Sequence, residues 1–141
     1  MASLLDPDDE LLLDSIKQKE SGGSKNGTKT IGDNGKAVGE YQMWKVAVKD
    51  VVAWYPKKYK GVTHHDVFHM DEVGQRDMAL DYINGLRDKY KVPNTVIDIG
   101  RSWNGGPPVS WKKGIPPANA ITYAKRLGNI YNTKFTRLIP W

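Results

Sequence analysis

The stretch Asp6-Pro7-Asp8-Asp9-Glu10-Leu11-Leu12-Leu13-Asp14-Ser15-Ile16-Lys17-Gln18-Lys19-Glu20, followed by Ser21-Gly22-Gly23, decides how the chain folds. It predicts a helix over about Pro7 to Glu20. Asp6 offers an acceptor to the first free backbone N–H groups, Pro7 suits the first helical position, and Asp8, Asp9 and Glu10 favour the positive end of the helix dipole. Gly22 and Gly23 stop it. Leu13, Ile16 and Glu20 fall at i, i+3 and i+7, with Leu12 at the edge of the same stripe. Glu20 is therefore expected on the core-facing side, at the C-terminal end of the helix.

Downstream, Asp33-Asn34-Gly35 lies between Thr30-Ile31 and Ala37-Val38. Asn-Gly between β-prone stretches predicts a small, exposed hairpin. Helical patterns follow. Tyr41 to Tyr55 is apolar at Met43, Trp44, Val46, Ala47, Val48, Val51, Val52 and Trp54, which predicts a helix buried on much of its circumference and ended by Pro56. Ala79, Ile83, Leu86 and Tyr90 mark a helix from about Asp71 to Tyr90. A short apolar helix is expected near Asn94 to Trp103, with Asn104-Gly-Gly-Pro-Pro108 and Gly114-Ile-Pro-Pro117 as loops, and a last helix from about Asn119 to Asn132. The fold class is mainly α, a single helical domain over residues 1–141 with one small β-hairpin after the first helix.

Composition limits the function. With 21 Lys+Arg against 16 Asp+Glu the chain carries +5, while residues 1–14 alone hold five acids and no base. Residues 99–141 hold seven basic residues and no acid, a balance that attracts a polyanion: nucleic acid, a membrane surface or an anionic cell wall. The absence of cysteine excludes a disulfide framework, a thiolate nucleophile and a Cys-ligated metal. No apolar run approaches the ~18 residues of a membrane span, and the acidic start does not read as a secretory signal.

A carboxyl at a helix C-terminus on an apolar stripe is disfavoured in its charged form both by burial and by the helix dipole. An acid kept protonated near neutral pH is what a glycosidase needs to protonate a leaving oxygen. The plainer alternative is a frayed helix end with Glu20 in water. Glu20-Ser-Gly-Gly23 followed by Gly39-Glu-Tyr-Gln-Met43 resembles the start of the lysozyme-like superfamily, in particular the soluble lytic transglycosylases and the goose-type and invertebrate-type lysozymes. Ser102-Trp-Asn-Gly-Gly-Pro107 resembles that family's Ala-Tyr-Asn-Ala-Gly-Pro loop. Ile115-Pro-Pro117 through Tyr123 resembles its Pro-x-x-Glu-Thr-x-x-Tyr stretch.

The resemblance implies a lysozyme-like α+β fold and cleavage of the β-1,4 bond between N-acetylmuramic acid and N-acetylglucosamine in bacterial peptidoglycan. It implies Glu20 as catalytic acid, and Ser21, Tyr41, Gln42, Trp103, Asn104 and Tyr123 as substrate-binding residues. It implies no cofactor and no metal. Asp33 lies near where invertebrate-type lysozymes carry a second acid, so a hydrolytic route through Glu20 and Asp33 stands beside the single-Glu transglycosylase route; its other reading is a turn-former. Glu40 departs from the family pattern and adds a carboxylate near the cleft, for which a solvent-facing position is expected ahead of a catalytic role. Ile121 before Thr122-Tyr123 departs from the family's Glu-Thr pair. His64, His65 and His69 form a cluster without a third well-placed ligand, for which capping and surface roles are expected. The reading from another class is a non-catalytic basic module for glycan or nucleic acid, resting on Lys112, Lys113, Lys125, Arg126, Lys134 and Arg137 beside Trp111 and Tyr131. The partner expected is peptidoglycan, with no nucleic acid and no membrane, for a monomer encoded by a bacteriophage and acting on the bacterial wall.

Overall fold

The computed structural model describes residues 6–22 and 27–138. Among them are six α-helices and one three-stranded antiparallel sheet: α1 (Asp9–Ser21), β1 (Ile31–Gly32), β2 (Ala37–Val38), β3 (Met43–Trp44), α2 (Lys45–Trp54), α3 (His64–Phe68), α4 (Glu72–Asp88), α5 (Val96–Gly105) and α6 (Ala118–Leu138). The mainly helical expectation holds at this level. Two compact units are defined: residues up to 19 together with those from 86 onward, and residues 20–85, the divisions falling within α1 and α4. No helix among the described residues is long and apolar enough to cross a membrane.

In the first unit α1 begins two residues later than its sequence suggests. Asp8, not Asp6, is the cap: its Oδ1 accepts from the Leu11 N–H at 2.9 Å, and its own N–H donates to the Tyr131 hydroxyl at 2.8 Å. That second bond holds residue 8 outside the helix and leaves Pro7 before it. Leu11, Leu12, Leu13 and Ile16 are all buried, and Ser15, buried beside them, returns its hydroxyl to the Leu11 carbonyl at 2.7 Å. Helices α5 and α6 pack along each other through small residues. A Cβ on Gly100 would press on Leu127 and Ala124, and one on Gly128 would meet only the tip of Ile97. Helix α6 runs six residues past the expected end.

In the second unit the hairpin is present, with Ile31 opposite Val38 and Gly32 opposite Ala37. Left-handed Asp33 and Asn34 (φ +50° and +57°) and Gly35 (φ +88°) make its turn, as the Asn-Gly signal anticipates. It is not uniformly exposed: Ala37 and Val38 are buried and Ile31 is exposed. A third strand, Met43–Trp44, pairs with β2, and the long helix expected from Tyr41 begins only at Lys45, with Tyr41 and Gln42 in the preceding turn. The remaining helix, α2, is buried at Val48 and Val51 only, and Val46 is exposed, so its apolar run does not mean burial on all sides. Trp54 at its end stacks on Tyr82 of α4, ring centres 5.9 Å apart, directly over Gly85.

Buried Tyr59 donates its hydroxyl to Asp81 Oδ2 at 2.6 Å, and Lys58 Nζ lies 2.8 Å from both Asp77 and Asp81. Burial first, then the bond to Asp81, raise the phenol above its ordinary 10.0. A raised folded-state pKa means stability that is present below that ordinary value and lost as pH rises beyond it. The urea midpoint should fall above about pH 10 and fall less steeply in Tyr59→Phe. Gly85→Ala, which would gain roughly 1 kcal/mol from helix propensity alone, should instead lose about 1–3 kcal/mol because the new methyl overlaps the Trp54 indole. Gly128→Ala, facing a flexible side-chain tip, should lose far less in the same unfolding assay.

Candidate active site

The last turn of α1 carries Glu20, half-buried, and Ser21. Gly22 follows in a turn; Gly23, the second expected stop, lies outside the described residues. The Ser21 hydroxyl donates to the Glu40 carbonyl at 2.8 Å. This bond ties the helix end to the turn between β2 and β3, so the two short motifs read from the sequence meet in one unit.

That turn is tightly wound. Gly39 has φ +83°, and its N–H donates to the Thr30 carbonyl at 2.8 Å. Its carbonyl accepts the Gln42 backbone N–H at 3.2 Å and the Gln42 side-chain Nε2 at 2.9 Å. Nε2 also donates to the Thr30 carbonyl at 3.2 Å, so the amide nitrogen closes the turn on itself. Gln42 is itself left-handed at φ +50° and half-buried, and its Oε1 lies where a Cβ on Gly32 would sit. Glycine at 32 is thus what lets the hairpin approach Gln42. Tyr41 is buried, and its hydroxyl accepts from Arg76 Nη1 at 3.0 Å.

Glu40 is only 4% exposed, a correction to the solvent-facing position expected for it. Its direction follows from the turn: Gly39 lies against the side-chain amide of Gln75, where a Cβ would clash, and the chain at residue 40 heads inward. The Glu40 N–H donates to Gln75 Oε1 at 2.9 Å. Gln75 Nε2 in turn donates to the carbonyls of Thr28 and Val67, both at 2.9 Å. One amide, 2% exposed, thereby fixes three backbone segments. Sequence reasoning missed this residue, although it stands four positions before Ala79 on the apolar stripe of α4, where a polar side chain calls for a buried partner.

Asp33 is exposed, and its carbonyl accepts the Lys36 N–H at 3.2 Å, so its backbone serves the hairpin turn. In the other unit, Trp103 (half-buried) and Asn104 (exposed) occupy the last turn of α5, and Tyr123 is 6% exposed on α6 with Lys19 Nζ 5.2 Å from its ring centre. The expected loop at Asn104-Gly105 is helix. Thr95 caps α5 by accepting from the Asp98 N–H at 3.0 Å, and the helix continues to Gly105, which packs on Ala120 and Pro117. Gly106, at φ +80°, ends it.

The histidines behave as structural groups. His64 Nε2 donates to the Met43 carbonyl at 2.8 Å, which binds α3 to β3. His65 and His69 bring their Nε2 atoms to 3.1 Å, and His69 Nδ1 lies 3.4 Å from Lys29 Nζ. Asp66 and Thr63 form a reciprocal cap, and the Thr63 N–H holds the Asp66 carboxyl below its usual range. Among the described residues no three His, Asp or Glu side chains are grouped to hold a metal ion.

Comparison of the chain with family models, with curated proteins and with solved structures gives no match.

Replacing Gln75 by Leu leaves the Glu40 N–H without its acceptor and takes the amide donor from the carbonyls of Thr28 and Val67, the second of which keeps the Met70 N–H. The substitution should cost about 2–4 kcal/mol in chemical denaturation, more than Gln75→Glu, which keeps one acceptor for the Glu40 N–H.

Proposed function

We propose that the chain is a peptidoglycan-degrading glycosidase of the lysozyme-like superfamily that cleaves the β-1,4 bond between N-acetylmuramic acid and N-acetylglucosamine as a lytic transglycosylase. The observation that supports this most is the Ser21–Glu40 bond, which joins a half-buried glutamic acid at a helix end to the Gly39–Gln42 turn, the two segments on which the family resemblance rests.

In this reading Glu20 gives its proton to the glycosidic oxygen as the bond to C1 breaks. The resulting carboxylate then takes the proton of the muramic 6-hydroxyl, whose oxygen closes on C1 to give a 1,6-anhydro sugar. The same group is acid and then base, so no second carboxylate is consumed. Asn104, exposed at the end of α5, offers its amide to sugar hydroxyl and acetamido groups, and Trp103 offers a partly open ring face. Ser21 and Gln42 act at the turn. Tyr41 and Tyr123 are the two phenols that the family resemblance assigns to the substrate. The chain acts on the bacterial wall as a monomeric phage product and needs no cofactor for this chemistry.

The second reading, hydrolysis with Asp33 activating water, draws on the exposure of that carboxylate. Glu20→Gln should reduce clearing of purified sacculi by at least about 100-fold with circular dichroism unchanged. Unchanged clearing removes Glu20 as the acid, and clearing by neither protein favours the non-catalytic basic module. Mass spectrometry of the digest decides the route: anhydro ends, with Asp33→Asn active to within a few-fold, are expected, whereas reducing ends and an inactive Asp33→Asn point to the muramidase.

A further inference from the structure

Among the described residues of the first unit the exposed large hydrophobic ones are Val109 (78%), Ile115 (63%), Phe135 and Leu138, and each of these lies in the acid-free segment. Two of them share a loop with a pair of cations. Between Pro107-Pro108 and Pro116-Pro117 the chain makes two short 3₁₀ turns, Pro108–Ser110 and Lys112–Gly114. Trp111 lies between them and donates its indole N–H to the carbonyls of Gly105 (3.0 Å) and Gly106 (3.1 Å). The Ser110 hydroxyl closes on the Pro107 carbonyl at 2.7 Å. Prolines at both ends and a pinned indole in the middle give the loop one shape, with Val109, Lys112, Lys113 and Ile115 all exposed.

We propose that this loop, residues 106–117, docks the protein on an anionic phospholipid surface, with Val109 and Ile115 entering the headgroup region and Lys112 and Lys113 pairing with lipid phosphates. Charge complementarity restricts the partner to an anion, since no Asp or Glu lies anywhere in residues 99–141. The two aliphatic side chains narrow it further. A nucleic acid or a wall polyol phosphate satisfies the lysines but gives exposed valine and isoleucine nothing apolar to enter, whereas a bilayer interface satisfies both. Peripheral contact of this kind differs from the absence of a membrane partner expected from sequence, which rested on the lack of a spanning segment. It is independent of the glycosidase reading.

Co-sedimentation of the full chain with vesicles of phosphatidylglycerol and phosphatidylcholine, against phosphatidylcholine alone, tests it. Partition is expected only to the anionic vesicles. Val109→Ser with Ile115→Ser should weaken it about ten-fold or more, and Lys112→Ser with Lys113→Ser roughly 20–30-fold. Phe135→Ser with Leu138→Ser, which removes similar side chains beside Lys134 and Arg137, should leave it unchanged. The proposal is overturned by equal partition to both vesicles or to neither, by loss in the α6 pair but not the loop pair, or by a serine pair at 109 and 115 that binds as well as the parent. Displacement from the vesicles by a single-stranded oligonucleotide that the same lysines bind more tightly also overturns it and makes the loop a polyanion site.

Discussion

The arrangement of the second unit depends on the side-chain amide of Gln75. Its oxygen accepts one backbone N–H and its nitrogen donates to two carbonyls. The segments they belong to, 27–29, the Gly39–Gln42 turn and the end of α3, have almost no regular structure of their own. Strands of two residues cannot carry a sheet by ladder bonds alone. A buried amide with its hydrogen-bonding capacity met inside the protein replaces the missing ladder, and it does so with fixed geometry, because both ends of a planar group are held at once. From there the order passes along the chain: Gly39 rests on Gln75, Glu40 is turned inward, and its carbonyl receives Ser21 at the end of α1.

The two glycines of the hairpin region serve the same construction at different points. Gly39 has a left-handed backbone and a neighbour that leaves no room for Cβ; Gly32 lies under the Gln42 amide. Neither is there for flexibility. They allow two amide side chains, Gln75 and Gln42, to lie against backbone and to bond its N–H and carbonyl groups. The proposed acid stands at the edge of a region made stiff by side-chain-to-backbone bonds, which suits a group whose position must be held within fractions of an ångström.

Much of this was legible in the sequence where a local rule was strong. Asp33-Asn34-Gly35 specified its turn because left-handed backbone is cheap only for such residues, and the stripes of α1 and α4 gave helices within two residues of their observed ends. Short-range signals failed where tertiary contacts decided. Met43-Trp44 reads as the start of a helix, and only pairing with β2 makes it a strand. Asn104-Gly105 reads as a break, yet Ala120 and Pro117 pack against Gly105 and the helix persists. Val46 belongs to an apolar run but faces outward, since a run of valines states hydrophobicity without saying which side is covered. Glu40 had no signal at all: its burial follows from the Gln75 contact thirty-five residues away in sequence. Of the candidate site, the residue types were readable, and the amide that organises them was not, because a lone glutamine on a helix is ordinarily a surface residue.

Four of the residues singled out for function lie in the last turn of a helix. Glu20 and Ser21 close α1 before Gly22, and Trp103 and Asn104 stand in the last turn of α5, which ends at Gly105. The last turn of a helix exposes carbonyls that have no partner within it, and its dipole presents partial negative charge. Such an end favours donors such as an amide N–H. The structure meets the second of these ends with an indole: Trp111 donates to the carbonyls of Gly105 and Gly106, turning the chain back immediately after Asn104. The indole that meets the end of α5 therefore also helps to shape the cationic loop that presents Val109, Lys112, Lys113 and Ile115.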